Sequence, residues 1–274
     1  MREKDTRREF LRASVVVGAG LVLGGCAKIG EQPAQTGNKD EAQSKGEQPD
    51  EDKKSDEDKE KDEDEDEDNK KGGEVTATED LMREHGVLRR ALLVYTAAAT
   101  KLRANASSVP PDALQKTATL FRSFGEDYHE KKLEEAYIFP AVKKAGGEAA
   151  NYPDILVTQH DRGREITEYI IAVTRGAKLG GSAAELAKAL DAFVLMYRNH
   201  AAREDTIIFP AWKQTMTQKQ IDEMGDKFED IEQEQFGEDG YESAVRQIAE
   251  IEGSLGLADI SQFTAPPPPK LPGA

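Results

Sequence analysis

The chain holds four histidines, His85, His129, His160 and His200, and each falls in a separate stretch of helical apolar spacing. One imidazole on an apolar stripe is ordinarily a core residue satisfied by a neighbour. Four in one small core are a different matter, because without a shared partner several ring nitrogens would go unsatisfied at roughly 1–3 kcal/mol each. A metal centre satisfies them together. Carboxylates accompany the imidazoles. His200 and Glu204 are four residues apart, which places both on one helix face. His129 is followed by Glu130, Glu134 and Glu135. The two segments share an ending, Glu134-Glu135-Ala136-Tyr137-Ile138-Phe139-Pro140 against Glu204-Asp205-Thr206-Ile207-Ile208-Phe209-Pro210. Aligned on Phe-Pro, Glu134 matches Glu204, but the position matching His200 is Glu130, and His129 stands one residue early. The extra residue predicts a π-bulge between His129 and Glu134, where a wider turn brings residues five apart onto one face. Imidazole with carboxylate suits iron, and zinc or manganese can take the same donors.

The elements that must position these residues are helices. Apolar spacing predicts one from about Thr78 to Ala104, with Leu81, His85, Leu88, Leu92 and Tyr95 on a stripe. A second starts after Pro110-Pro111, carries Leu114, Phe121, Phe124 and Tyr128, and ends near Gly146-Gly147. A third runs from Asn151 to Arg175 with Leu156, His160, Gly163, Thr167, Ile170 and Thr174 in register. Gly180-Gly181-Ser182 opens the fourth, lined by Leu186, Leu190, Phe193, Tyr197, His200, Glu204 and Ile208. Connections are short and β-type alternation is absent. The expected fold is therefore all-α, an antiparallel up-down four-helix bundle over residues 77–215, with one or two extra C-terminal helices in 216–256. Residues 257–274 form a proline-rich tail around Pro266-Pro267-Pro268-Pro269.

His85 within Arg83-Glu84-His85-Gly86, the His–Glu pairs ending in Phe-Pro, and His160 within Gln159-His160-Asp161 together resemble the hemerythrin-like, or HHE cation-binding, family. The resemblance covers roughly Ala77 to Lys213. It implies a non-haem site of two iron ions inside the bundle, with His85, His129, His160 and His200 as terminal ligands and Glu134 and Glu204 as bridges. Asp205 is the competing bridge, because hemerythrins proper place an aspartate five residues after the last histidine. Glu130 is a further candidate ligand, by similarity to iron-sensing relatives with a neighbouring His-Glu pair. One position departs from the pattern: hemerythrins proper carry a second histidine four residues after that of the third helix, and here the residue is Arg164. Gly163 leaves space facing the centre, so that water, Glu130 or another oxygen donor completes the coordination. A donor set richer in anionic oxygen favours the ferric state and argues against reversible oxygen carriage.

The ends of the chain carry a different message. Thr6-Arg7-Arg8-Glu9-Phe10-Leu11-Arg12 followed by an apolar run to Leu23 resembles a twin-arginine export signal, and Leu23-Gly24-Gly25-Cys26 resembles a lipobox with Cys26 as the lipidated residue. Residues 1–26 are thus expected to be a signal peptide, and the protein to be exported and lipid-anchored in a bacterial cell envelope. Residues 27–76 read as a disordered acidic linker. Between Asn38 and Lys71 stand 17 acidic and 8 basic residues, so that over half of the chain's net charge of −16 sits in this short stretch. No basic stripe follows it, which argues against a nucleic-acid partner. A single cysteine excludes an internal disulfide. Three functions remain open: a di-iron protein that binds or senses oxygen, nitric oxide or iron; a di-iron enzyme that reduces peroxide or oxidises a small substrate; and a structural lipoprotein bundle without metal.

Overall fold

A computed structural model describes residues 75–176 and 178–270. The signal segment with Cys26, nearly all of the linker, and residues 271–274 of the tail lie outside the described residues. Within them every regular element is a helix, and no strand occurs. No helix among them is long and apolar enough to cross a membrane.

Local chemistry sets the helix ends. Helix α1 (Ala77–Ala104) starts at Thr76, whose hydroxyl accepts from the Glu79 N–H at 3.3 Å, and it carries Glu79 and Asp80 in its first turn and Lys101 and Arg103 in its last. That charge order complements the helix dipole. Proline at the entry starts both α2 (Pro111–Leu120) and α4 (Pro153–Thr174). Ser182 caps α5 (Ala183–Arg203) by accepting from the Glu185 N–H. Two further helices follow, as one of the sequence alternatives has it. Helix α7 (Gln218–Phe236) opens on a Thr217–Gln220 capping box and closes on Gly237 at φ 68°, a left-handed conformation that glycine adopts without strain. Helix α8 (Gly240–Ser254) is capped by Asp239.

Two stretches are wound more widely. Segment π1 (Phe121–Ile138) continues α2 and passes into the short α3 (Phe139–Ala145); segment π2 (Glu204–Ile208) continues α5 and passes into α6 (Phe209–Lys213). The Phe139 N–H reaches back five residues to the Glu134 carbonyl, and the Phe209 N–H likewise to the Glu204 carbonyl. Each wide turn immediately precedes a proline, Pro140 or Pro210. A proline ring collides with the carbonyl four residues back in a regular helix, and widening the turn relieves that collision, so both helices run on. The expected bulge between His129 and Glu134 is therefore present but much longer than one turn, and a second accompanies it where the His200–Glu204 spacing gave no reason for one.

Helices α1 and α5 pack along their lengths, as do α2 and α4. Tyr95, Phe121, Phe193 and Tyr197 form an aromatic cluster with ring centroids 4.5–5.5 Å apart, the separation at which edge and offset contacts are favourable. Trp212 stacks on Phe228 at 5.7 Å, tying α6 to α7. Arg90 on α1 binds the Glu252 carboxylate of α8 through both Nε and Nη2.

Candidate metal centre

All four histidines meet in the core, with His85 on α1, His129 on π1, His160 on α4 and His200 on α5, each at most 4% exposed. They form two facing pairs. The Nε2 atoms of His85 and His129 lie 3.0 Å apart, as do those of His160 and His200. Glu134 and Glu204, fully buried, stand between the pairs. Glu134 turns Oε1 to His129 Nε2 at 3.3 Å and Oε2 to His160 Nε2 at 3.4 Å. Glu204 turns Oε2 to His85 Nε2 at 3.5 Å and Oε1 to His200 Nε2 at 2.9 Å. The wide turn of π1 is what lets His129 and Glu134, five apart, face inward together.

Each ring is held from behind at Nδ1. Asp205 lies 2.7 Å from His85, Glu84 2.6 Å from His129, Glu135 2.8 Å from His160, and the Gln159 side-chain oxygen 2.9 Å from His200. An acceptor at Nδ1 keeps the proton there and directs the Nε2 lone pair inward. Four nitrogen lone pairs and four carboxylate oxygens then converge with no hydrogen among them. None of the four oxygens of Glu134 and Glu204 has a hydrogen bond of acceptable geometry. Orphaned buried carboxylate oxygens are costly, and cations are what such a donor set accommodates. In the metal-free protein protons take part of that role. Burial opposes charge on His129, but Glu134 and Glu84 outweigh it and hold the imidazole well above its usual range; His160 is raised similarly by Glu130, Glu134 and Glu135. Burial likewise opposes charge on Glu134, and His129 and His160 overcome it and hold the carboxyl well below its usual range.

Glu130 has a different setting. Its Oε1 accepts from the Tyr197 hydroxyl at 2.8 Å and its Oε2 from Arg164 Nη2 at 3.3 Å, while Oε2 is 3.9 Å from His160 Nδ1. Burial lifts its carboxyl to about 7. Arg164 also binds Glu135 at 2.6 Å. The space beside Gly163 belongs to Tyr197: a Cβ there would stand 1.9 Å from the phenolic oxygen. A small cavity of about 10 Å³ opens on the centre, lined by Leu88, Leu92, Phe121, Tyr197 and Ala201 together with Arg89, Glu130 and several of the site residues. That is room for one water-sized molecule.

Of the residues singled out from sequence, six converge: His85, His129, His160, His200, Glu134 and Glu204. Groups able to hold a cation comprise the buried Glu134, His160, His200 and Glu204; the buried His85, His129 and Glu134; and Glu130, the partly buried Glu135 and His160. Asp205 sits behind His85 on Nδ1, paired with Arg89 at the surface, and not between the two histidine pairs. Sequence reasoning missed Glu84, Gln159 and Tyr197. A signal for the first two exists. Glu84 precedes His85 and serves His129, whereas Gln159 precedes His160 and serves His200; a residue beside a ligand points around the helix toward the adjoining one.

The family profile described as "Hemerythrin HHE cation binding domain" matches residues 76–212. An uncharacterized protein of Mycobacterium tuberculosis and one of Mycobacterium bovis are each 45% identical to this chain over 192 residues, covering 69% of it and 74% of the relative. No solved structure matches.

Proposed function

This chain belongs to the hemerythrin HHE cation-binding family, and on that premise we propose that it is a di-iron protein of the bacterial cell envelope which binds or senses a small oxidant or diatomic ligand. The observation that carries the reading is the set of four orphaned oxygens on Glu134 and Glu204, each turned to an imidazole nitrogen. His85 and His129 would hold one iron and His160 and His200 the other, with both carboxylates shared, in an antiparallel up-down bundle. Bound iron would supply one-electron redox chemistry and open coordination positions.

The chain's own residues restrict what reaches it. The cavity has room for about one water-sized molecule, which favours a small ligand over a larger organic substrate. Beside its apolar wall, Arg89, Glu130 and Tyr197 also line it, with the Tyr197 phenol committed to Glu130. Phe139 stacks on His160 at 5.5 Å and Phe209 on His85 at 5.3 Å, so a phenyl ring covers one imidazole of each pair. The C-terminal helices, the signal at residues 1–26 and Cys26 lipidation complete the reading as an anchored domain on an acidic tether.

The deciding experiment measures iron per chain in protein purified after iron-replete expression, then follows the visible spectrum as oxygen is admitted to the anaerobically reduced protein. Two irons per chain and prompt conversion to a stable ferric spectrum are expected. Absence of iron, zinc and manganese would remove the metal reading. A spectrum that reverses when oxygen is withdrawn would make the protein a carrier.

A further inference from the structure

The two halves of the centre are related by a repeat: Glu84-His85 on α1 corresponds to Gln159-His160 on α4, and Glu134-Glu135 on π1 to Glu204-Asp205 on π2. In each half the residue before the histidine supports a ring on the adjoining helix, and the residue after the bridging glutamate supports another. Three of the four supports are carboxylates: Asp205 on His85, Glu84 on His129, and Glu135 on His160. The fourth is an amide, Gln159 on His200 at 2.9 Å.

We propose that Gln159 makes the two metal positions unequal, leaving the position between His160 and His200 the weaker one for a divalent ion, filled second and emptied first. The proposal rests on the metal-binding reading above. Its physical basis is the strength of the ring as a donor. A carboxylate accepting from Nδ1–H pulls the proton outward and raises electron density on Nε2, whereas a neutral amide does so far less. Position by position, His85 and His129 have two carboxylate supports, and His160 and His200 have one.

Neighbouring charges do not restore the balance. Arg89 pairs with Asp205 on one side, and Arg164 pairs with Glu135 on the other, so one cation offsets each position. Glu84 also accepts from the neutral Tyr128 hydroxyl. Glu130 is the extra carboxylate near His160; at 3.9 Å from Nδ1 it acts through space and not as a hydrogen-bonded support, and its charge is shared with Arg164 and Tyr197. Gln159 is only partly buried, so a carboxylate introduced there would not be stranded in the core.

Zinc(II) tests this without redox complications. Metal-free protein titrated calorimetrically should take up two equivalents with dissociation constants separated by about tenfold or more, the usual size of a support's effect on affinity. Crystals given one equivalent should show anomalous density between His85 and His129. Gln159→Glu should tighten the second event and narrow the gap, while Asp205→Asn should weaken the first event and leave the second unchanged. Two equal affinities, first occupancy between His160 and His200, or a gap indifferent to Gln159→Glu would overturn the proposal while leaving the two-metal reading intact. Failure to bind zinc or iron at all would overturn both.

Discussion

Replacing Gly163 by alanine isolates the contact that fixes Tyr197 beside the centre. The added methyl would lie 1.9 Å from Tyr197 Oη, 2.7 Å from Cζ and 2.9 Å from Cε2, so one of the two residues must move. Tyr197 has little room to do so, because Phe121 and Phe193 flank its ring at 4.8 and 4.5 Å. Three effects compete. Alanine in a helix interior gains about 1 kcal/mol over glycine. Overpacking costs about 1–3 kcal/mol. Displacing the hydroxyl from the buried Glu130 costs about 1–3 kcal/mol more. Steric cost wins, and Gly163→Ala should destabilise the metal-free protein by about 3 kcal/mol on these figures. For a domain of this size that is about 6–12 °C in Tm. Urea denaturation of Gly163→Ala, Tyr197→Phe and the double variant measures the coupling. Removing the hydroxyl removes the nearest contact, so Gly163→Ala should cost at least about 1 kcal/mol less in the Tyr197→Phe background. A neutral or stabilising Gly163→Ala, or an equal cost in both backgrounds, would refute the account of Tyr197 packing into the glycine gap.

Changing His85 or His200 to alanine should abolish most bound iron, whereas Lys143→Ala, at an exposed position paired with Asp154, should leave it unchanged; metal analysis of the purified variants decides. Glu126, fully buried on π1 and bound by Thr167 and Arg122, has its carboxyl raised, by burial first of all. A raised carboxyl binds its proton more tightly folded than unfolded, so its contribution is favourable at low pH and declines as pH climbs from the ordinary carboxylate value through the raised one. Glu126→Gln should therefore flatten the loss of stability over that window, seen in denaturation of metal-free protein at successive pH values; parallel curves for the two proteins would contradict this. Cys26→Ser should move the protein from the membrane to the soluble fraction without altering its Tm, and retention in the membrane would reject Cys26 as the anchor.

The helices were legible in the sequence because their apolar residues and their end signals agree: Ser182 and the Pro110-Pro111 pair each mark an end that backbone chemistry requires. The displaced His129 was legible too, since the duplicated Phe-Pro ending made one extra residue countable. What could not be counted was π2, because His200 and Glu204 satisfy a regular helix and only the proline after Phe209 hints at a wide turn. Gly163 was read as open space facing the metals; the sidedness of one missing Cβ does not show that a tyrosine from another helix fills it. The supports behind the rings were hidden for the same reason. Glu84 serves a histidine on π1 and Gln159 one on α5, and which helix lies beside which is tertiary information.

The unpartnered oxygens of Glu134 and Glu204 have a consequence for the life of the protein in the cell. Ions that bind only the native arrangement add their binding free energy to folding, and a chain lacking them forgoes that contribution. Molecules made during iron scarcity would open more often and meet proteases more often, and a deficit of even 1–2 kcal/mol changes steady-state abundance several-fold. The amount of this protein would then record the metal supply at the time of its synthesis, a memory kept by turnover and needing no dedicated regulator.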